Sequence, residues 1–186
     1  MEPAEPLWHP SSERVESAHI TAFLRWLERE RGLTFADYES LWQWSVNDVE
    51  GFWGALWHFL DIRASQPYEK VLGARVMPGA EWFVGARLNL VGQVFRHVTE
   101  SRPAILAGNE RGELREVSWI ELRAQVASLA AALRELGVVP GDRIVAILPN
   151  VPETIVAFLA CASVGAIWSV CSPDMGPLAV LDRFRQ

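Results

Sequence analysis

The stretch "PGDRIVAILPNVPETIVAFLACASVGAIWSVCSPDMG" spans residues 140–176 and decides the fold class. Pro140 and Gly141 mark a turn, and "RIVAILP" after them is almost continuously apolar, as in a strand buried on both faces. In "NVPETIVAFLACASVG" Asn150 stands at an N-cap position, Pro152 falls in the first turn where its missing N–H is harmless, and Gly165 closes the helix. "AIWSV" is a second apolar strand, so the pattern predicts a βαβ unit with parallel strands. Strands this apolar need cover on both faces and neighbours on both edges. Only "GPLAVLDRFRQ" (176–186) follows, the start of another helix. The predicted class is α/β: a helical N-terminal cap segment, a hairpin, a long helix and the first βαβ unit of a larger, mostly parallel sheet that is truncated.

Working backwards, "SWIELRAQVASLAAALRELG" (118–137) reads as the most secure helix. Ser118 and Glu121 stand in capping-box register, Leu122, Val126, Leu129, Leu133 and Leu136 form its stripe, and Gly137 ends it. "AILAGNERGELREVSW" (104–119) predicts a hairpin turning at Asn109–Gly112, and a helix is expected from near Leu90 to about Glu100. Residues 64–92 show neither periodicity and read as an irregular wrapping linker. Three helices are expected before it. One runs from about Ser17, as N-cap, to Arg31 with Gly32 as its stop, and one from about Phe35 to Trp44. The third is capped by Asn47, with Glu50 three residues on.

The 186 residues carry a net charge of −6 and are half hydrophobic, which argues against a nucleic-acid binder and for a packed core. No run has the length and apolarity of a membrane span, and the acidic, Pro-rich start is unlike a signal or transit peptide, so a cytoplasmic protein is expected. Cys161 and Cys171 read as buried reduced thiols, and the four histidines lack ligand spacing, so no metal site is expected. Seven of the nine tryptophans precede residue 90. They suit either the core of a self-contained helical unit or anchors pinning a helical layer to something else.

Residues 140–183 resemble the acyl-adenylate-forming synthetases, the superfamily of acyl-CoA synthetases, adenylation domains and luciferases. The shared frame is "GDRI", "PNVPE", a helix and "GA" before the next strand. "GAIWSVCSPD" (165–174) is similar to the acetoacetyl-CoA synthetase branch, whereas acetyl-CoA synthetases usually have His at the place of Trp168. "LWHPS" (7–11), "FADYESLWQWSVNDVEGFWGALWHFLDI" (35–62) and "WFVGARLN" (82–89) also resemble that branch. The likeness departs at "LVGQVF" (90–95), which replaces an "AENLL"-like helix and loses an acid and an asparagine. It implies residues 1–90 as a helical N-terminal segment of the acetyl-CoA-synthetase type and 91–186 as the start of the large AMP-binding domain.

The resemblance implies an acetoacetate–CoA ligase that uses ATP, Mg²⁺ and CoA and passes through an acyl-adenylate. An acetyl- or propionyl-type synthetase is the alternative within that class. A non-catalytic remnant, or a binding module complementing another chain, is the alternative outside it. Adenylation brings a carboxylate up to a polyphosphate, so it needs positive charge and a phosphate-cradling loop. No glycine-rich loop ending in Lys is present, and the single lysine, Lys70, reads as a surface residue. No catalytic or metal-binding residue is therefore expected here, the isolated chain is expected to be inactive, and no cofactor is expected to bind it tightly. The resemblance points to one ligand contact, Arg183 on a CoA phosphate. Trp168 reads as core rather than acyl pocket. The expected partners are the small substrates and the remaining C-terminal part of the same enzyme, with no nucleic acid and no membrane.

Overall fold

The computed structural model describes residues 7–185. The chain forms two compact units, Met1–Ile62 with Pro67–Ala86, and Arg63–Gln66 with Arg87–Gln186.

In the first unit, helix α1 (Ser12–Glu16) is followed by α2 (His19–Arg31), α3 (Tyr38–Asn47) and α4 (Val49–Phe59). The single helix expected from Ser17 is two. Ser17 ends α1, its hydroxyl donating back to the Arg14 carbonyl, and Ala18 is extended, so α2 starts without a side-chain cap. A side chain that bonds its own preceding turn cannot cap the next helix. Gly32 does stop α2, in the left-handed conformation at φ +64°.

The second helix starts later than Phe35 because Asp37 is a better cap. Its carboxylate accepts from the Ser40 N–H at 2.8 Å and the Ser40 hydroxyl closes the capping box. These hydrogen bonds, the backbone one first, hold the Asp37 carboxyl below the usual range. The N-cap of α4 is Asp48 rather than Asn47, accepting from the Gly51 N–H at 3.0 Å.

The expected irregular linker contains a second hairpin, β1 (Lys70–Leu72) against β2 (Trp82–Val84), antiparallel with Lys70 opposite Val84. Three-residue strands are too short to show a period of two, so tertiary contacts carry the hairpin. Phe83, at φ +47°, lies 4.4 Å from the Trp57 ring and 5.4 Å from Tyr68, whose hydroxyl meets His58 Nε2 at 3.2 Å. A bulky residue rarely takes that conformation, and the ring contacts hold it there. The unit's core is Phe23, Leu27, Leu41 and Ala55, with Trp26, Trp44, Phe35, Phe52 and Phe59 packed around it. Of the seven early tryptophans only Trp26 and Trp44 pack against this core and Trp57 is half-buried, while Trp8, Trp42, Trp53 and Trp82 remain exposed.

In the second unit α5 (Leu90–Phe95) is shorter than expected. Asn89 caps it, and after Arg96 a local turn takes over, with the Thr99 hydroxyl bonded to Ser101. The departure at "LVGQVF" keeps polar anchoring: Asn89 Nδ2 donates to the Ala162 carbonyl at 2.9 Å, and the Gln93 amide exchanges hydrogen bonds with the Arg63 backbone. Strands β3 (Ile105–Gly108) and β4 (Leu114–Val117) pair antiparallel across the expected turn, where Asn109 Oδ1 accepts from the N–H groups of Arg111 and Glu113.

Helix α6 (Trp119–Glu135) is capped by Ser118, but only half of the predicted box forms. The Glu121 carboxylate is taken by Arg115 and Gln125 instead. Leu122 and Val126 are buried and Leu129 and Leu133 half-buried. Leu136 lies past the last turn and is 82 % exposed, so it drops out of the stripe.

Strands β5 (Arg143–Ile147) and β6 (Ile167–Cys171) pair parallel in the register Arg143–Ile167 to Ile147–Cys171, joined by α7 (Pro152–Ser163). The N-cap of α7 is Val151, without a side-chain bond, rather than Asn150. The Thr154 hydroxyl bonds the Pro149 carbonyl and draws the turn one residue on. Gly165, at φ +81°, follows the helix as expected. Helix α8 (Pro177–Phe184) comes last and buries no residue. The core lies between α5, the β3–β4 hairpin, α6 and α7, through Val91, Val117, Leu122, Val126, Val156 and Leu159. The strands β5 and β6 stay largely outside it, with Val145 52 % and Ile167 56 % exposed.

Candidate functional site

Parallel strands put their carboxyl ends together, and in open α/β sheets ligands gather there. Here that end carries the loops 148–151 and 172–176, held side by side by the Leu148 N–H donating to the Cys171 carbonyl at 3.1 Å. Sequence reasoning passed over Ser172 and Asp174 in the second loop. The Ser172 hydroxyl donates to the Asp174 carboxylate, and this bond, with a backbone N–H, holds the carboxyl below its ordinary range. The signal was legible, since Ser-Pro-Asp is a turn sequence whose Asp and Ser bond locally.

Arg183, the one residue expected to contact a ligand, lies in the last turn of α8. It is exposed, and among the described residues it makes no ion pair or hydrogen bond. A free guanidinium can take a phosphate bidentately. Trp168 is half-buried on β6, opposite Ile144. Lys70 lies exposed on β1, in the other unit. Cys161 and Cys171 are buried free thiols, and burial raises the pKa of Cys161.

These residues do not fit a complete nucleotide site. The loop after β5, Leu148-Pro149-Asn150-Val151, has neither the glycines that let a backbone wrap phosphate nor a lysine. At the start of α7 Glu153 adds a carboxylate, and its partner Arg115, at 3.6 Å, is also committed to Glu121 at 3.1 Å. Asp174 alone cannot hold Mg²⁺, and among the described residues no three His, Cys, Asp or Glu side chains cluster for a metal.

Comparison with known proteins places this architecture. A family model described as "AMP-binding enzyme" matches residues 94–186, and "Acetyl-coenzyme A synthetase N-terminus" matches residues 38–94. The acetoacetyl-coenzyme A synthetase of Rhizobium meliloti is 40% identical over 186 residues, all of this chain and 28% of that protein. The acetoacetyl-CoA synthetase of Danio rerio is 42% identical over 97% of this chain and 27% of its own length. The structure of acetoacetyl-CoA synthetase from Streptomyces lividans superposes with a TM-score of 0.92 at 47% identity, covering 98% of this chain and 29% of that one. The chain thus spans little more than a quarter of the relatives it matches. With residues 94–186, half of the chain, matched by that family model, the chain belongs to the AMP-binding enzyme family.

Proposed function

We propose that this chain is the amino-terminal scaffold of an acetoacetate–CoA ligase, the enzyme that joins acetoacetate and CoA at the expense of ATP, releasing AMP and diphosphate through an acyl-adenylate. The observation that carries the proposal is the likeness to the Streptomyces lividans enzyme along 98% of the chain. Residues 1–90 serve as the helical N-terminal segment and 91–186 as the opening of the AMP-binding domain. The ligase uses ATP, Mg²⁺ and CoA, works in the cytoplasm, and engages neither nucleic acid nor membrane. Arg183 touches a CoA phosphate. No step of the chemistry belongs to a residue of this chain: its part is to support the remaining domain, and alone it does not catalyse.

A second member of the substrate class is supported by the malonamoyl-CoA synthetase of Penicillium aethiopicum, 34% identical over 98% of this chain and 26% of its own length. Acetoacetate and malonamate both carry a carbonyl β to the carboxylate, so the acyl class is a short 3-oxo-type acid.

The test is a chimera in which residues 1–186 replace the matching quarter of the Streptomyces lividans enzyme, assayed for acid-dependent diphosphate release. We expect turnover with acetoacetate and little with acetate or propionate, and none from the 186-residue chain alone. A folded chimera that is inactive on acetoacetate, or one that prefers acetate, overturns the proposal. Arg183→Ala in the chimera should raise the KM for CoA and leave that for acetoacetate unchanged.

A further inference from the structure

Helix α8 carries Arg183 but packs little of itself. It buries no residue, and only Val180 and Phe184 are half-buried. Its N-cap is Gly176, so no side chain caps it either. Its direction is therefore set where the chain leaves β6. Cys171 is the fixed end of that path, 2% exposed, its carbonyl accepting from the Leu148 N–H at 3.1 Å. Between it and α8 runs Ser172-Pro173-Asp174-Met175-Gly176, with Pro177 as the first helical residue. Pro173 and Pro177 lock their own φ angles and restrict Ser172 and Gly176 before them. Two hydrogen bonds take up the freedom left at Asp174 and Met175. The Ser172 hydroxyl donates to the Asp174 carboxylate, and the Met175 N–H donates to the Ser172 carbonyl at 3.1 Å.

We propose that Ser172 and Asp174 are positioning residues: their hydrogen bond aims α8 and thereby holds Arg183 where it meets the CoA phosphate. Neither side chain touches the reacting atoms. The length of the lever makes the bond matter. Arg183 stands six residues beyond Pro177, about 9 Å along the helix axis. A change of about 20° in the helix direction at the loop moves it by roughly 3 Å, the length of a hydrogen bond. The inference rests on the reading of Arg183 as a contact to CoA.

The test uses the chimera with the Streptomyces lividans enzyme and follows two steps separately. Acetoacetate-dependent exchange of diphosphate into ATP reads adenylation, which precedes CoA, and thioester formation gives the KM for CoA. Ser172→Ala and Asp174→Ala should each raise that KM at least about threefold and leave the exchange rate unchanged. Ser172→Thr keeps the hydroxyl and should restore the KM. Ser172→Ala combined with Arg183→Ala should be no worse than Arg183→Ala alone, because the pair acts through the guanidinium. A fall in the exchange rate that matches the loss in CoA affinity would mean a merely structural role and overturns the proposal. Effects of Ser172→Ala and Arg183→Ala that multiply in the double variant overturn it too. A raised KM in Arg183→Ala beside an unchanged one in Ser172→Ala defeats this inference alone. An unchanged KM in Arg183→Ala defeats the reading of Arg183 and this inference with it.

Discussion

Asp48 performs three tasks at the corner between α3 and α4. Its N–H donates to the Trp44 carbonyl at 2.9 Å and closes α3. Its carboxylate accepts from the Gly51 N–H at 3.0 Å to open α4, and also from the Trp44 indole at 3.2 Å. Gly51 leaves room for the Asp48 carboxylate in this rotamer, which a Cβ at that position would force to shift. Asp48→Ala should therefore destabilise the chain by about 1–2 kcal/mol, the usual cost of a lost N-cap. Asp48→Asn, which keeps an acceptor, should recover most of it. Urea titration followed by tryptophan emission measures both, and a loss of stability equal in the two variants would sink the capping account. The spacing points to Asn47 as the cap, one residue before the Asp48 that caps α4. Either side chain can cap, and only the path of the chain out of α3 decides which carboxylate or amide reaches the next N–H.

At the scale of elements, long periodic segments were legible and short ones were not. Helix α6 and the β5–α7–β6 unit announce themselves because ten or more residues repeat one pattern. The β1–β2 hairpin did not, since three residues per strand carry no period and its stability comes from Trp57, Tyr68 and Phe83 meeting across the unit. The break between α1 and α2 was hidden for a related reason: a periodic stripe says nothing about an extended residue such as Ala18 inside it. The stripe of α6 gives a discriminating prediction. Leu122 is 2% exposed in the core and Leu136 is not in it, although spacing equates them. Leu122→Ala should cost about 2–4 kcal/mol, as for buried leucines generally. Leu136→Ala should stay within about 0.5 kcal/mol. Similar losses at both positions, measured by thermal unfolding, would contradict the burial described here.

For the molecule as a whole, the conspicuous feature is a parallel pair whose apolar side chains meet water. Val145 and Ile147 on β5 and Ile167 on β6 are each more than half exposed, on strands with unpaired outer edges among the described residues. Such surfaces promote association. Val145→Thr with Ile167→Thr keeps β-branched side chains that suit a strand, so stability should change by less than about 0.5 kcal/mol per site. Concentration-dependent light scattering should fall markedly in the double variant. Scattering that does not change would place any association elsewhere on the chain.

The candidate site divides along the same line. That the loops after β5 and β6 share one end followed from the order of strand, helix and strand, because a parallel crossover allows nothing else. The lack of a phosphate loop was likewise plain, since backbone wrapping needs glycines at defined spacing and the chain has none there. The Ser172–Asp174 bond, the commitment of Arg115 to two carboxylates and the freedom of Arg183 came only from the folded chain. The sequence by itself determined the class of fold and the family, because these depend on periodicity and on residue types that are either present or not. Tertiary structure alone decided which polar side chain takes which partner and which leucine is buried. Those outcomes depend on distances between residues far apart in the chain, and no local pattern encodes them.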